Sequence, residues 1–161
     1  MQGVDSLVLS VPISVKDIAL FGRSFPWKKP NCCPCCQGTL WWHGFVLAYF
    51  SCLPEAIPLR RLRCSGCGCV HRLKPSDYFR RFRSSIQEIK ESVLHRCEKK
   101  TWRPDLPRER QSQWWYRLGR MTSLMLGISF CKSPFHAFNL LMRQNCIPVT
   151  SAKLKENQAV F

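Results

Sequence analysis

The sequence predicts an α+β chain, with a small β unit organised around paired cysteines followed by a bundle of three helices. Three observations carry this prediction. Two Cys-x-x-Cys pairs stand 27 residues apart, aromatic and β-branched segments lie between and after them, and from residue 85 onward apolar residues recur at helical spacing. The 161 residues suit one compact domain or two very small ones, and exclude a large multidomain enzyme. With 45% hydrophobic residues there is enough apolar material for a core, which argues against wholesale disorder.

Charge is the second guide. The chain holds 25 Lys and Arg against 10 Asp and Glu, and between Leu59 and Arg120 the balance is 17 to 6. A one-signed field of that density attracts polyanions, and nucleic acid is the first candidate. No stretch approaches the roughly 20 apolar residues needed to span a bilayer, and the N-terminus lacks the pattern of a secretory signal. A reduced, cytoplasmic setting is therefore expected, at the nucleoid when DNA is bound. There, clustered thiols serve as metal ligands more often than as disulfides.

Taken in order, residues 1–29 are expected to pack on the β unit, with a strand over 4–11 and a short helix over 17–25. Residues 30–75 hold the cysteine pairs Cys33/Cys36 and Cys64/Cys67. Two tight turns, each presenting two thiolates, supply the four ligands of tetrahedral zinc. The expected cofactor is thus one structural Zn²⁺, with no open coordination position for catalysis. Gly68 follows the second pair, where a backbone turning toward a metal needs positive φ. In the first pair the glycine comes one residue later, as Gln37-Gly38. The spacing leaves open whether Cys32, Cys35, Cys69, His43 or His71 replaces one of the four; Cys32, Cys35 and Cys69 are read as packed thiols. Residues 39–42 and 45–50 read as strands about a turn at His43-Gly44. Residues 57–63 read as an edge strand because Pro58 cannot donate to a ladder, and 70–73 as a last strand. Together these make a zinc ribbon.

Residues 76–148 are the expected helical domain. A basic-aromatic connector over 78–83 leads to Ser85-Ile86-Gln87-Glu88, which matches a capping box. Ile86, Ile89, Val93 and Cys97 then share one face of a helix over 85–97. A second helix begins near Pro107 and ends at Gly127, with Trp114, Leu118, Met121 and Met125 as its apolar stripe. Arg110, Gln113, Arg117 and Arg120 lie off that stripe, and such side chains reach phosphates and purine edges. Ser133-Pro134 starts a third helix that reaches about residue 145, with Phe135, Phe138 and Met142 inward. Three helices with a basic middle section fit a helix-turn-helix-like bundle. The expected nucleic-acid contacts are Arg60, Arg61, Arg80, Arg81, Arg83, Arg110, Gln113, Arg117 and Arg120. Residues 149–161, polar and without cap or period, are expected to be a mobile tail.

The order Cys-Pro-x-Cys, His43-Gly44, Leu59-Arg60-Arg61-Leu62-Arg63, Cys-x-x-Cys-Gly and arginine-rich helices resembles a bacterial family of zinc-ribbon proteins. That family is related to the N-terminal recognition regions of insertion-sequence transposases. The resemblance, over about residues 30–120, implies zinc on Cys33, Cys36, Cys64 and Cys67 and double-stranded DNA on the helices that follow. Acidic-triad transposases need three converging carboxylates, whereas here only Glu156 follows Glu109. The expectation is therefore a non-enzymatic accessory or transposase-derived DNA-binding factor, with no small-molecule substrate.

RNA is a variant of this reading, with Trp41 and Trp42 stacking unpaired bases. A protein-interaction adaptor presenting Trp41, Trp42, Trp114 and Trp115 is the alternative. A thiol redox role for Cys33 and Cys36 lacks the thioredoxin-like βαβ pattern.

Overall fold

In the computed structural model, which describes residues 7–151, strands and helices form an α+β arrangement with a four-stranded mixed sheet and four α-helices. The described residues divide at Ile86/Gln87 into two compact units.

The first unit opens with β1 (Leu7–Val11), part of the strand expected over 4–11; residues 4–6 lie outside the described residues. Ser14 then caps α1 (Val15–Phe21) by accepting from the Lys16 N–H at 3.1 Å. Gly22 ends that helix at φ +55° and leads into a 3₁₀ turn over Gly22–Ser24. The remaining strands are β2 (Leu40–Ala48), β3 (Ile57–Cys64) and β4 (Val70–Pro75). Their order in the sheet is β1-β4-β3-β2, with β1 parallel to β4 and the other neighbours antiparallel.

Two expectations about this sheet need correction. His43-Gly44 is not a turn, because β2 runs through it as one strand. Trp42 pairs with Leu62 and Phe45 with Arg60, so His43 and Gly44 together face Arg61. Gly44 adopts φ +73°, absorbing the extra residue as a bulge while the chain reverses only after Ala48. Nor is β3 an edge strand, since it lies between β2 and β4. Pro58 is tolerated because β4 pairs only with Arg61–Arg63, which leaves the proline's missing N–H without a ladder partner to serve.

Along β3 the buried positions change parity, so one strand feeds two cores. Ile57 and Leu59 join Val15, Ile18, Phe50 and Tyr78. Leu62 and Cys64 join Cys33, Leu40 and Leu73, and Trp27 packs against both groups. The second core therefore contains two of the candidate ligands.

The second unit contains α2 (Ile86–Lys99), α3 (Arg108–Met125), a 3₁₀ turn over Ile128–Lys132 and α4 (Pro134–Arg143). Ile89 and Val93 on α2 and Trp114, Leu118 and Met121 on α3 are buried, as the helical periodicity anticipates. Met125, the last residue of the expected stripe, is exposed, and Gln111 takes an interior place at the other end. On α4 the inward residues are Ala137, Phe138 and Leu141, while Phe135 and Met142 are only half-buried. Val149, where the mobile tail was expected to start, is fully buried, and residues 152–161 lie outside the described residues.

Candidate metal centre

The two cysteine turns are built alike. In the first, Gln37 N–H donates to Cys33 O at 2.9 Å and Cys33 N–H to Gly38 O at 2.9 Å. In the second, Gly68 N–H donates to Cys64 O at 3.1 Å and Cys64 N–H to Cys69 O at 3.0 Å. The residue after each second cysteine is left-handed, Gln37 at φ +62° and Gly68 at +73°. The first turn thus reaches the geometry of the second without glycine at that position. The late glycine has a separate purpose: a Cβ on Gly38 would stand 3.0 Å from Cys64 Sγ and 3.2 Å from Cys36 Sγ. A Cβ on Gly66 would likewise stand 3.3 Å from Cys36 Sγ. Spacing alone reads Gly38 only as a displaced turn glycine and passes over Gly66, although each stands within two residues of a candidate ligand.

The turns bring four sulfurs together. Those of Cys33, Cys36, Cys64 and Cys67 all lie within 4.8 Å of one another, with Cys33 to Cys67 at 3.7 Å and Cys36 to Cys64 at 3.4 Å. A tetrahedral ion with bonds of about 2.3 Å separates its sulfurs by about 3.8 Å, so this group can hold one metal ion. Backbone N–H groups point at the sulfurs in the same pattern in both turns. Cys33 receives those of Cys35 and Cys36, and Cys64 those of Gly66 and Cys67. Such donors favour thiolate over thiol. The N–H of Cys67, helped by Cys36 and Gly66, lowers the Cys64 thiol to about 6. Cys36 receives the Gly38 N–H, but the sulfurs of Cys64 and Cys67 outweigh it and push its thiol up to about 11. Four thiolates at this spacing repel one another, and a divalent cation is the chemistry that resolves the conflict.

The other candidates take different places. His71 is fully buried and its Nε2 lies 3.3 Å from Cys33 Sγ. Burial pushes its imidazole below the ordinary range. The neutral ring is therefore suited to donate to the Cys33 thiolate and orient that ligand, as outer partners of metal ligands do. Cys33, Cys35 and His71 also form a second close group that shares Cys33. Cys32 donates to Gln37 Oε1 at 2.8 Å, Cys35 is exposed, and His43 sits on the β2 bulge. Alanine at Gly38 is expected to weaken metal binding about 10–100-fold while the sheet persists. Chelator competition on the Gly38→Ala variant measures this, and an unchanged affinity would remove Gly38 from the site.

The expected nucleic-acid residues fall in both units. Arg60 stacks over Trp42 and Phe45, 4.8 and 4.4 Å from the ring centroids. Arg61 faces Arg72 directly across the β3–β4 ladder. Arg80, Arg81 and Arg83 are exposed and line one cleft, together with Arg72 and Lys74, which the sequence did not single out. In the second unit, Gln113 and Arg120 are exposed and Arg110 and Arg117 half-buried on α3. The alternative surface of four tryptophans does not exist as such. Trp41 is 62% and Trp42 39% exposed, whereas Trp114 is a core residue of the second unit. No helix among the described residues is long and apolar enough to cross a membrane. No protein-family model, curated protein or solved structure matches this chain.

Proposed function

We propose that this chain is a zinc-stabilised nucleic-acid-binding protein, a ribbon-like four-cysteine unit joined to a helix-turn-helix-like basic bundle. Cys33, Cys36, Cys64 and Cys67 hold the zinc, which supplies cross-linking and charge neutralisation and leaves no open position for catalysis. The transposase-like order of motifs is what suggests an accessory recognition role. On α3, Arg110, Gln113, Arg117 and Arg120 are spaced to share one helix face suited to a duplex.

The single observation that carries the nucleic-acid reading is the Arg61–Arg72 pair. Like charges directly opposite on neighbouring strands destabilise a sheet. Here they are register partners, and the Nε atoms of both are buried without a hydrogen-bond partner. Between residues 57 and 83 there are eight Lys and Arg and one acid, Asp77. An arrangement that costs stability by itself makes sense when the compensating anion comes from outside the chain, and a phosphate backbone supplies it.

The test is the double substitution Arg61→Gln with Arg72→Gln. Relief of repulsion leaves the unfolding midpoint unchanged or raises it by the equivalent of about 0.2–1 kcal/mol, while affinity for nucleic acid at low salt falls at least tenfold. Unchanged affinity would defeat the reading. A stability loss without a binding loss would assign the pair to the fold instead.

A further inference from the structure

A cleft of about 330 Å³ opens beside the sheet in the first unit, and five of its lining side chains are cationic: Arg72, Lys74, Arg80, Arg81 and Arg83. None is acidic. Its remaining wall is apolar, with Val8, Leu47, Phe50 and Phe82 among the lining residues, and Tyr49 at one side. The segment that delivers three of the arginines is held firmly. Lys74 is buried, and its Nζ donates to Phe79 O at 2.6 Å and Phe82 O at 3.0 Å. The Ser51 N–H and hydroxyl both donate to Arg83 O, at 2.9 and 3.1 Å. Phe79 and Phe82 meet edge to face, with ring centroids 5.7 Å apart.

Two features of this cleft cost the folded chain free energy. Arg81 is held at φ +67°, a conformation that costs a non-glycine residue about 1 kcal/mol or more. The Arg72 Nε is buried without a partner. Lys74 serves the fold by ordering the loop that carries Arg80, Arg81 and Arg83; burial, with the Arg72 guanidinium beside it, lowers its ammonium to about 8. Strain of this kind gathers where a ligand is gripped.

The geometry points to a binding site for one nucleotide unit, its phosphate on the arginines and its sugar and base on the apolar wall and Tyr49. Inorganic phosphate would use only the cationic part of the cleft. A volume near the lower end of small-molecule sites, about 300–1,000 Å³, suits a nucleotide. A base seated there has left its stack and its pair, so the strand is single. Arg83 lies 5.3 Å over the Tyr49 ring, which fixes the guanidinium at the cleft's edge. This rests on the nucleic-acid reading for its source as a strand; a free nucleotide has the same chemistry.

The test measures binding of a fluorescent oligothymidylate, a duplex of matched length and a labelled thymidine 5′-monophosphate to the metal-loaded full chain. Arg81→Gly and Arg83→Gln are compared with wild type. Glycine relieves the left-handed strain, so Arg81→Gly is expected to keep or raise the melting temperature while weakening oligothymidylate at least tenfold. The matched loss for Arg83→Gln, larger on the single strand than on the duplex, supports the site. Mononucleotide binding that both variants lose, without oligonucleotide binding, assigns the cleft to a free nucleotide and overturns the nucleic-acid reading alone. Wild-type oligonucleotide affinity in both variants overturns the cleft and leaves that reading standing. Binding of none of the three probes overturns both.

Discussion

Cys64→Ser, or removal of the metal by a strong chelator, is expected to unfold the β2–β4 sheet rather than merely loosen it. Cys64 ends β3, belongs to the Leu40–Leu62–Leu73 core and is 1% exposed, so it is candidate ligand and core residue at once. A structural zinc in a small domain is worth about 10–16 kcal/mol. A unit of this size has a total stability of only about 4–12 kcal/mol. The metal term therefore decides whether the sheet exists. Circular dichroism and hydrogen exchange of the β3 amides would register the loss, with re-formation on adding zinc for the chelated wild type and not for Cys64→Ser. A sheet that survives both treatments would reduce the four sulfurs to packed thiols.

Gln111→Ala is expected to cost the helical unit about 2–4 kcal/mol, a fall of at least about 10 °C in melting temperature for a domain this small. Gln111 is 1% exposed and every arm of its amide is engaged. Its Oε1 accepts from the Ser92 hydroxyl and the Arg103 N–H, each at 3.0 Å. Its Nε2 donates to Arg103 O and Leu106 O, each at 2.9 Å. One side chain thus ties α2, the connecting segment and α3 together. Removal leaves the buried Ser92 hydroxyl and several backbone groups unsatisfied, each costing about 1–3 kcal/mol. Gln111→Glu should fare no better, because a carboxylate cannot donate to the two carbonyls. By contrast Arg103, ion-paired to Glu91 at 3.0 Å and Asp105 at 2.5 Å, meets half-exposed carboxylates. Loss of those pairs should cost about 1 kcal/mol or less. A denaturation curve for Gln111→Ala shifted by under about 1 kcal/mol would show that the amide network is incidental.

What was legible in the sequence follows from how local the controlling physics is. Each cysteine turn closes within a few residues, so spacing alone locates the four sulfurs. Ser133-Pro134 marks the start of α4 because proline's fixed φ suits a first helical turn. The parallel pairing of β1 with β4 was hidden, since it joins Leu7 to His71 across most of the unit and no local signal encodes the partner. Gly44 was misread because a positive-φ glycine serves a turn and a bulge equally well; only the register opposite Arg61 separates them. Gln111 carries no local signal of its role because its four bonds are made to groups up to 19 positions away. Arg72, Lys74 and Tyr49 escaped notice for the same reason. The cleft they share with Arg80, Arg81 and Arg83 is assembled by folding.

The central claim is that a metal-organised sheet presents a one-signed cluster of cations to a phosphate backbone. It is tested most directly by titrating single-stranded nucleic acid with the zinc-loaded and the chelated protein over a salt series. The account predicts binding by the zinc-loaded form, with log affinity falling against log salt at a slope of about −3 to −4 for roughly five phosphate contacts on a single strand. The chelated form should lose that affinity along with its sheet. Equal binding by both forms, a flat salt dependence, or no binding at about 50 mM salt would contradict it.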